Sequence, residues 1–275
     1  MKLPDYNLFS FLERLASSLN IYPEWLQKRS IPAFNFRQYG SKGPRVILLH
    51  GLFGHLSNWD KVLPRLQMQC ELYSLEFPIL KGDKSEVSVK SLSLYVTCFL
   101  YSQNLFNSYL CGNSLGGHVA IRVSLLVPEV VKGLILAGPS GLYENSIDTL
   151  PLKPDKDYIA KHMKRVFYDS RHVTNEYVDE IHRIISNKDN VKKLLIAAKS
   201  AKRDYLLNEL PSICVPTLLL WGRNDEITSL EVGQVFATKI PKSILKVKDN
   251  CGHAPMMEEP EWFADEVLKF LEGNE

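Results

Sequence analysis

Three short, unbroken apolar runs, Val46 to Leu49, Leu134 to Ala137 and Leu218 to Trp221, constrain this 275-residue chain more than any other feature. A strand with one face in water alternates apolar and polar residues. An unbroken run signals a strand covered on both faces, as in a parallel sheet. Tyr109-Leu110-Cys111 reads the same way. Helical patterns lie between these runs, notably Leu115 to Val127, with Leu115, Val119, Val123 and Leu126 near one face. Strands alternating with helices imply an α/β fold: a wound, mostly parallel sheet with right-handed crossovers.

The stretch 141–210 breaks that rhythm, with helical periods only: Ile159, Met163 and Val166; Val178, Ile181 and Ile185; Val191, Leu194, Leu195 and Ala198. It is expected to be an all-helical insertion into a core made of 1–140 and 211–275. Leu8, Leu12, Leu15 and Leu19 mark an N-terminal packing helix over residues 5–19, with Asp5 after Pro4 as its cap. Phe34 and Phe36 alternate with polar neighbours before Gly40 and Gly43-Pro44, the pattern of a hairpin strand. Phe263, Val267, Phe270 and Leu271 predict a final packing helix.

Composition excludes several function classes. With 45% hydrophobic and 23% charged residues the chain can bury a large core and is not disordered. Its 33 basic and 31 acidic residues are mixed along the sequence, so neither nucleic acid nor an anionic membrane is an expected partner. Asp5, Glu13 and Arg14 interrupt any secretory signal. No run reaches the roughly 18 to 20 apolar residues that membrane insertion needs. Five scattered cysteines without C-x-x-C spacing read as reduced thiols, which predicts a cytoplasmic protein. Neither the His nor the Cys spacing offers a metal site. The sequence carries no signal of oligomeric state.

Gly112-Asn113-Ser114-Leu115-Gly116-Gly117 matches G-x-S-x-G between the strand ending at Cys111 and the helix opened by Leu115. In that context the motif is a nucleophile elbow, with serine held in a strained turn at a helix N-terminus. A serine hydroxyl needs a base within hydrogen-bond reach. His162, His172 and His182 fall in the helical insertion and read as surface residues, and His118 as a packing or supporting residue. His253 lies in a turn after the strand Ile244 to Val247, where such sheets place catalytic groups. Asp225 occupies the matching place after the strand Leu218 to Trp221, so Ser114, Asp225 and His253 follow the chain order of the elbow-type fold. Glu226 and Asp249 compete with Asp225 for the acid's role. His50-Gly51-Leu52-Phe53-Gly54-His55, after the first buried strand, supplies the oxyanion loop; the donors are expected to be the main-chain amides of Leu52 and Leu115, with His50 supporting the loop.

Four segments, His50 to Gly54, Gly112 to Gly117, Trp221 to Asp225 and Cys251 to Pro255, followed by Glu259-Pro260, together resemble the α/β-hydrolase superfamily, in its capped, cofactor-free esterase and carbon-carbon hydrolase branch. The resemblance implies a sheet of about eight strands, a helical cap at 141–210, Asp225 ahead of Glu226 as the acid, no cofactor and a small-molecule acyl substrate. Two departures stand out. Glu76-Phe77-Pro78-Ile79-Leu80-Lys81-Gly82 replaces the aspartate, proline and glycine pair of many relatives, and Ser114 stands where dehalogenases and epoxide hydrolases carry aspartate. The expected reaction is hydrolysis of a small to medium carboxylic ester. One alternative is carbon-carbon hydrolysis of a diketone-like substrate, which Asn113 resembles. Against it, Leu52-Phe53-Gly54-His55 replaces a Gly-Pro-Gly-Ala run and Ala254 replaces a tryptophan. The other alternative is a ligand-sensing protein that retains the triad.

Overall fold

The apolar runs form the middle of one sheet, in which β2 (Arg45–Leu49), β4 (Ser108–Asn113), β5 (Val131–Ala137) and β6 (Thr217–Gly222) are almost wholly buried. The computed structural model describes residues 8–144 and 155–274. β1 (Phe36–Tyr39), β3 (Glu71–Leu75) and β7 (Ser243–Lys248) complete the order β1-β3-β2-β4-β5-β6-β7. All neighbours are parallel except β1 with β3. At the far edge β7 alternates in burial, and Ile244 is exposed there. The sheet therefore has seven strands among the described residues, where the resemblance implied about eight.

The expected hairpin at Phe34 to Arg37 is corrected. The strand begins at Phe36 and pairs antiparallel with β3, through Phe36 opposite Leu75 and Tyr39 opposite Leu72, and not with the next strand in sequence. Phe34 lies outside the strand and packs its ring on Tyr95 and Phe99.

Helices α1 (Leu8–Leu19) and α2 (Glu24–Gln27) precede the sheet. The helices α3 (Leu63–Leu66), α4 (Val89–Ser102) and α5 (Leu115–Leu126) connect β2 to β3, β3 to β4 and β4 to β5. Between β5 and β6 lie α6 (Lys156–Met163), α7 (Asn175–Ser186) and α8 (Lys188–Arg203). α9 (Leu230–Lys239) joins β6 to β7, and α10 (Pro255–Glu258) and α11 (Pro260–Glu272) end the chain. The first turns of the insertion's helices are set by side chains: Asp155 accepts from the Tyr158 amide, Thr174 from Tyr177, and Asn187 from Asp189 and Asn190. Residues 155–210 contain no strand, and residues 145–154 of the expected insertion lie outside the described residues, as does the Asp5 cap. Among the described residues no helix is long and apolar enough to cross a membrane.

Register decides where chemistry can occur. Leu49 of β2 lies opposite Gly112 of β4, Asn113 opposite Ala137 of β5, and Gly222 of β6 opposite Lys248 of β7, so the carboxyl ends form one rim. The chain leaves β2 toward β3 on one side and leaves β4 toward β5 on the other. A crevice opens where neighbouring strands send their connections in opposite directions. Here it lies between the loop that carries Leu52 and the turn that carries Ser114.

Candidate active site

Ser114 follows the last residue of β4 and caps α5 with φ 54° and ψ −118°, a conformation rarely populated by residues with a side chain. The turn closes because its neighbours are small. A Cβ on Gly116 would stand 2.1 Å from the Leu49 carbonyl oxygen, so only glycine lets α5 approach β2 so closely. The Ser114 amide donates to the Ala137 carbonyl at 3.0 Å, and its own carbonyl accepts from the amides of His118 and Ser140, each at 3.1 Å. Asn113, buried beside it, donates through Nδ2 to the Ala137 and His253 carbonyls, both at 3.0 Å.

His253 and Asp225 meet across two loops. His253 Nδ1 lies 2.8 Å from Asp225 Oδ2, and both residues are 6% exposed. The other carboxylate oxygen accepts from the amides of Ile227 and Thr228 at 2.8 and 2.9 Å. The Thr228 hydroxyl donates to Oδ2 at 2.9 Å. An acceptor held this way requires the proton on His253 Nδ1 and leaves Nε2 as the basic nitrogen. Burial pushes the imidazole toward neutrality, but the charge and hydrogen bond of Asp225, with Glu144 and Glu258 behind them, raise its pKa above the ordinary value.

The two competing acids stand elsewhere. The Glu226 side chain is 65% exposed and faces Arg165 at 3.8 Å, whereas Asp249 is 71% exposed and paired with Arg223. His50 supports the loop as expected: Nδ1 donates to the Gly51 carbonyl at 2.7 Å and Nε2 accepts from the Phe77 amide at 2.9 Å. Burial lowers its pKa to about 4, so it stays neutral. His118 is buried beneath Ser140. His162 corrects an expectation: instead of lying on the surface it is half-buried and lines the same cavity as Ser114, because α6 turns its inner face toward the sheet's rim. His172 and His182 are half-buried and do not line that cavity.

Ser114, His253, Leu52 and Leu115 all line one cavity of about 240 Å³. Among the described residues, neither the Leu52 nor the Leu115 amide donates to a protein acceptor. Two free donors near a serine are what a developing oxyanion requires. The far wall comes from the helical insertion, through Val166, Phe167, Tyr177 and Leu194, and is mainly apolar. Among the described residues no group of three or more His, Cys, Asp or Glu side chains could hold a metal ion.

Three contributors escaped the sequence reading. Thr228 grips the Asp225 carboxylate. Gly138, at φ 48°, leaves space that a Cβ would fill 2.9 Å from Asp225 Oδ2 and 3.0 Å from His253 Nδ1. Glu258 ties the insertion to the histidine loop, accepting from the Gly252 amide through Oε1 and from the Tyr168 and Asp169 amides through Oε2. The Thr in Asp225-Glu226-Ile227-Thr228 could have been found as a capping residue near an acid; the other two carry no local signal.

A strained serine after a central strand, a buried His–Asp pair on the rim loops after β6 and β7 and free amides beside them define a hydrolase of the α/β fold. The chain belongs to the α/β hydrolase fold family, whose profile matches residues 44–260. It is similar to monoacylglycerol lipase ABHD6 of Mus musculus, 26% identical over 86% of this chain and 78% of the relative. It is also similar to 2-hydroxy-6-oxononadienedioate/2-hydroxy-6-oxononatrienedioate hydrolase 2 of Pseudomonas putida, 25% identical over 86% of this chain and 91% of that one. Among solved structures, MGS-MChE2, an α/β hydrolase enzyme from the metagenome of lagoon sediments, is 30% identical with a TM-score of 0.72, over 88% of this chain and 96% of that chain.

Proposed function

We propose that the protein is a serine hydrolase of small to medium carboxylic esters. Ser114 is the nucleophile, His253 the general base, Asp225 its orienting acid, and Leu52 and Leu115 the oxyanion donors. The observation that carries this reading is the His253–Asp225 contact of 2.8 Å beside Ser114 in an apolar-walled cavity of about 240 Å³. Ser114 Oγ attacks the ester carbonyl while His253 Nε2 takes its proton. The carbonyl oxygen, now anionic, accepts from the two amides. The intermediate collapses, His253 returns the proton to the departing alcohol, and an acyl-enzyme remains. Water then adds with the same histidine as base, which releases the acid and restores Ser114.

We read 141–210, of which 145–154 lie outside the described residues, as the cap over this site. Val166, Phe167, Tyr177 and Leu194 wall the cavity, and the Val166 carbonyl accepts from the His253 amide at 2.7 Å. The five cysteines, none in a disulfide and four of them buried, support a reducing, cytoplasmic setting. Similarity to a monoacylglycerol lipase supports an ester substrate.

The second reading, carbon-carbon hydrolysis, is favoured by Asn113 and by the Pseudomonas putida relative. Asn113 has another use here, since both Nδ2 protons are donated to main-chain carbonyls. The test is a fluorophosphonate probe followed by a panel of esters and a meta-cleavage diketone. Labelling at Ser114, lost in Ser114→Ala, with kcat/KM highest for an ester, supports the proposal. A diketone outperforming every ester would replace it by the second reading, and labelling retained in Ser114→Ala would refute the nucleophile.

A further inference from the structure

A second Asp–His–Ser chain lies behind the first, and the ester mechanism does not use it. His118 Nε2 faces Asp204 Oδ2 at 3.2 Å, an electrostatic contact too far off line for a hydrogen bond, and His118 Nδ1 lies 3.3 Å from the Ser140 hydroxyl. His118 is wholly buried and Ser140 is 2% exposed. Arg122 holds Asp204 through two bonds of 2.7 Å, so the carboxylate is fixed and ionised. Ser140 lines the catalytic cavity, and its amide donates to the carbonyl of Ser114 at 3.1 Å.

Proton positions follow from this arrangement. The negative charge of Asp204, 3.2 Å from Nε2, favours the ring proton on that side of His118. Burial, reinforced by the Arg122 charge and opposed by Asp204, lowers the His118 pKa, so the ring holds just that one proton. Nδ1 is then an acceptor, and the Ser140 hydroxyl proton is committed to it. The Ser140 oxygen keeps its lone pairs, and among the described residues no protein donor reaches them. Ser140, whose oxygen has no donor among the described residues, thus borders a largely apolar cavity shared with Ser114.

We propose that Ser140 is a specificity-determining residue whose oxygen accepts a hydrogen bond from a free hydroxyl on the substrate, close to the ester carbonyl. Asp204 and His118 are the positioning residues that keep it an acceptor. The inference rests on the ester reading and narrows it to hydroxylated esters. A substrate without the hydroxyl leaves the oxygen dehydrated and unpaired, which disfavours it.

Two matched pairs locate the hydroxyl: glycerol monobutyrate against propyl butyrate for the alcohol side, and an ethyl 3-hydroxybutyrate against ethyl butyrate for the acyl side. The wild type is expected to favour the hydroxylated member of one pair by about tenfold in kcat/KM, the worth of one neutral hydrogen bond. In Ser140→Ala that preference is lost, and the hydroxylated ester falls about tenfold further than its plain partner. His118→Leu, where it folds, shifts the ratio in the same direction. An equal fall for both members, or no preference in either pair, overturns the proposal. If no ester is turned over at all, binding to Ser114→Ala decides: a glycerol monoalkyl ether binding no better than the matching dialkyl ether overturns the Ser140 assignment on its own, whereas tighter binding upholds it and faults only the ester reading.

Discussion

Asp225 and His253, 28 residues apart in sequence, meet at 2.8 Å over the bare Cα of Gly138. The third strand loop of the site thus takes part by having nothing there. Gly138→Ala would put a methyl group within 3.0 Å of the imidazole and strain a backbone at φ 48°. The expected result is a fall in kcat of at least about 100-fold, as for a misplaced catalytic group, with a modest loss of stability. Steady-state kinetics beside a urea melt would show it, and a fully active Gly138→Ala enzyme would contradict the geometry.

Proton affinity gives a second prediction. His253 must be neutral to act as base, and its pKa is raised above 6.5, so kcat/KM should rise with pH through a midpoint above that value. In Asp225→Asn the principal group that raises it is gone, so the midpoint should move down while kcat drops by about 10⁴ through loss of the tautomer. Asp249→Asn should change neither. The linkage has the opposite sense for folding: a raised histidine pKa stabilises the native state at acid pH, and that contribution is lost as pH climbs through the native pKa. A pH–rate profile of the three proteins tests the assignment, and a midpoint unmoved by Asp225→Asn would count against it.

Strain at Ser114 should be measurable as stability. Residues with a side chain in sparsely populated backbone regions cost about 1–3 kcal/mol. Ser114→Gly recovers that energy, less the roughly 0.5–1 kcal/mol that glycine's extra unfolded freedom costs. The variant is expected to be inactive and about 1 kcal/mol more stable in urea denaturation. A destabilised Ser114→Gly would show that the turn is relaxed.

Arg122 joins α5 to the root of the insertion, bonding Asp204 at 2.7 Å twice and Glu209 Oε1 at 2.7 Å. Against the opposing effect of burial, His118 and then this guanidinium hold the Asp204 carboxyl at about 2. Arg122→Leu leaves that carboxylate buried without its bidentate partner, at a cost of about 3 kcal/mol. Chemical denaturation would record the loss, and a change under 1 kcal/mol would make the contact incidental.

What could be read from the sequence depended on distance along the chain. The buried strands, the elbow at Ser114 and the rim positions of Asp225 and His253 each follow from a dozen consecutive residues, and the order of the three fixed their association. The partner of β1 did not follow so. Gly40 to Pro44 resembles a hairpin turn, but the strand instead covers the outer edge of β3, which exists only after the parallel β2–β3 pair has formed. Periodicity put Leu194 and Leu195 in one helical pattern without separating them, whereas Leu194 is buried, Leu195 is exposed, and both line the cavity. For His162, a place in a helical insertion suggests the surface but does not say what the helix's inner face meets.

The Asn113 amide has a mechanical consequence. One planar group spans the Ala137 and His253 carbonyls, so the loop bearing the base is bolted to the strand bearing the serine. Neither can drift without breaking the same pair of bonds. Heating should therefore leave the reacting atoms aligned until the sheet itself parts, and thermal inactivation should coincide with global unfolding instead of preceding it.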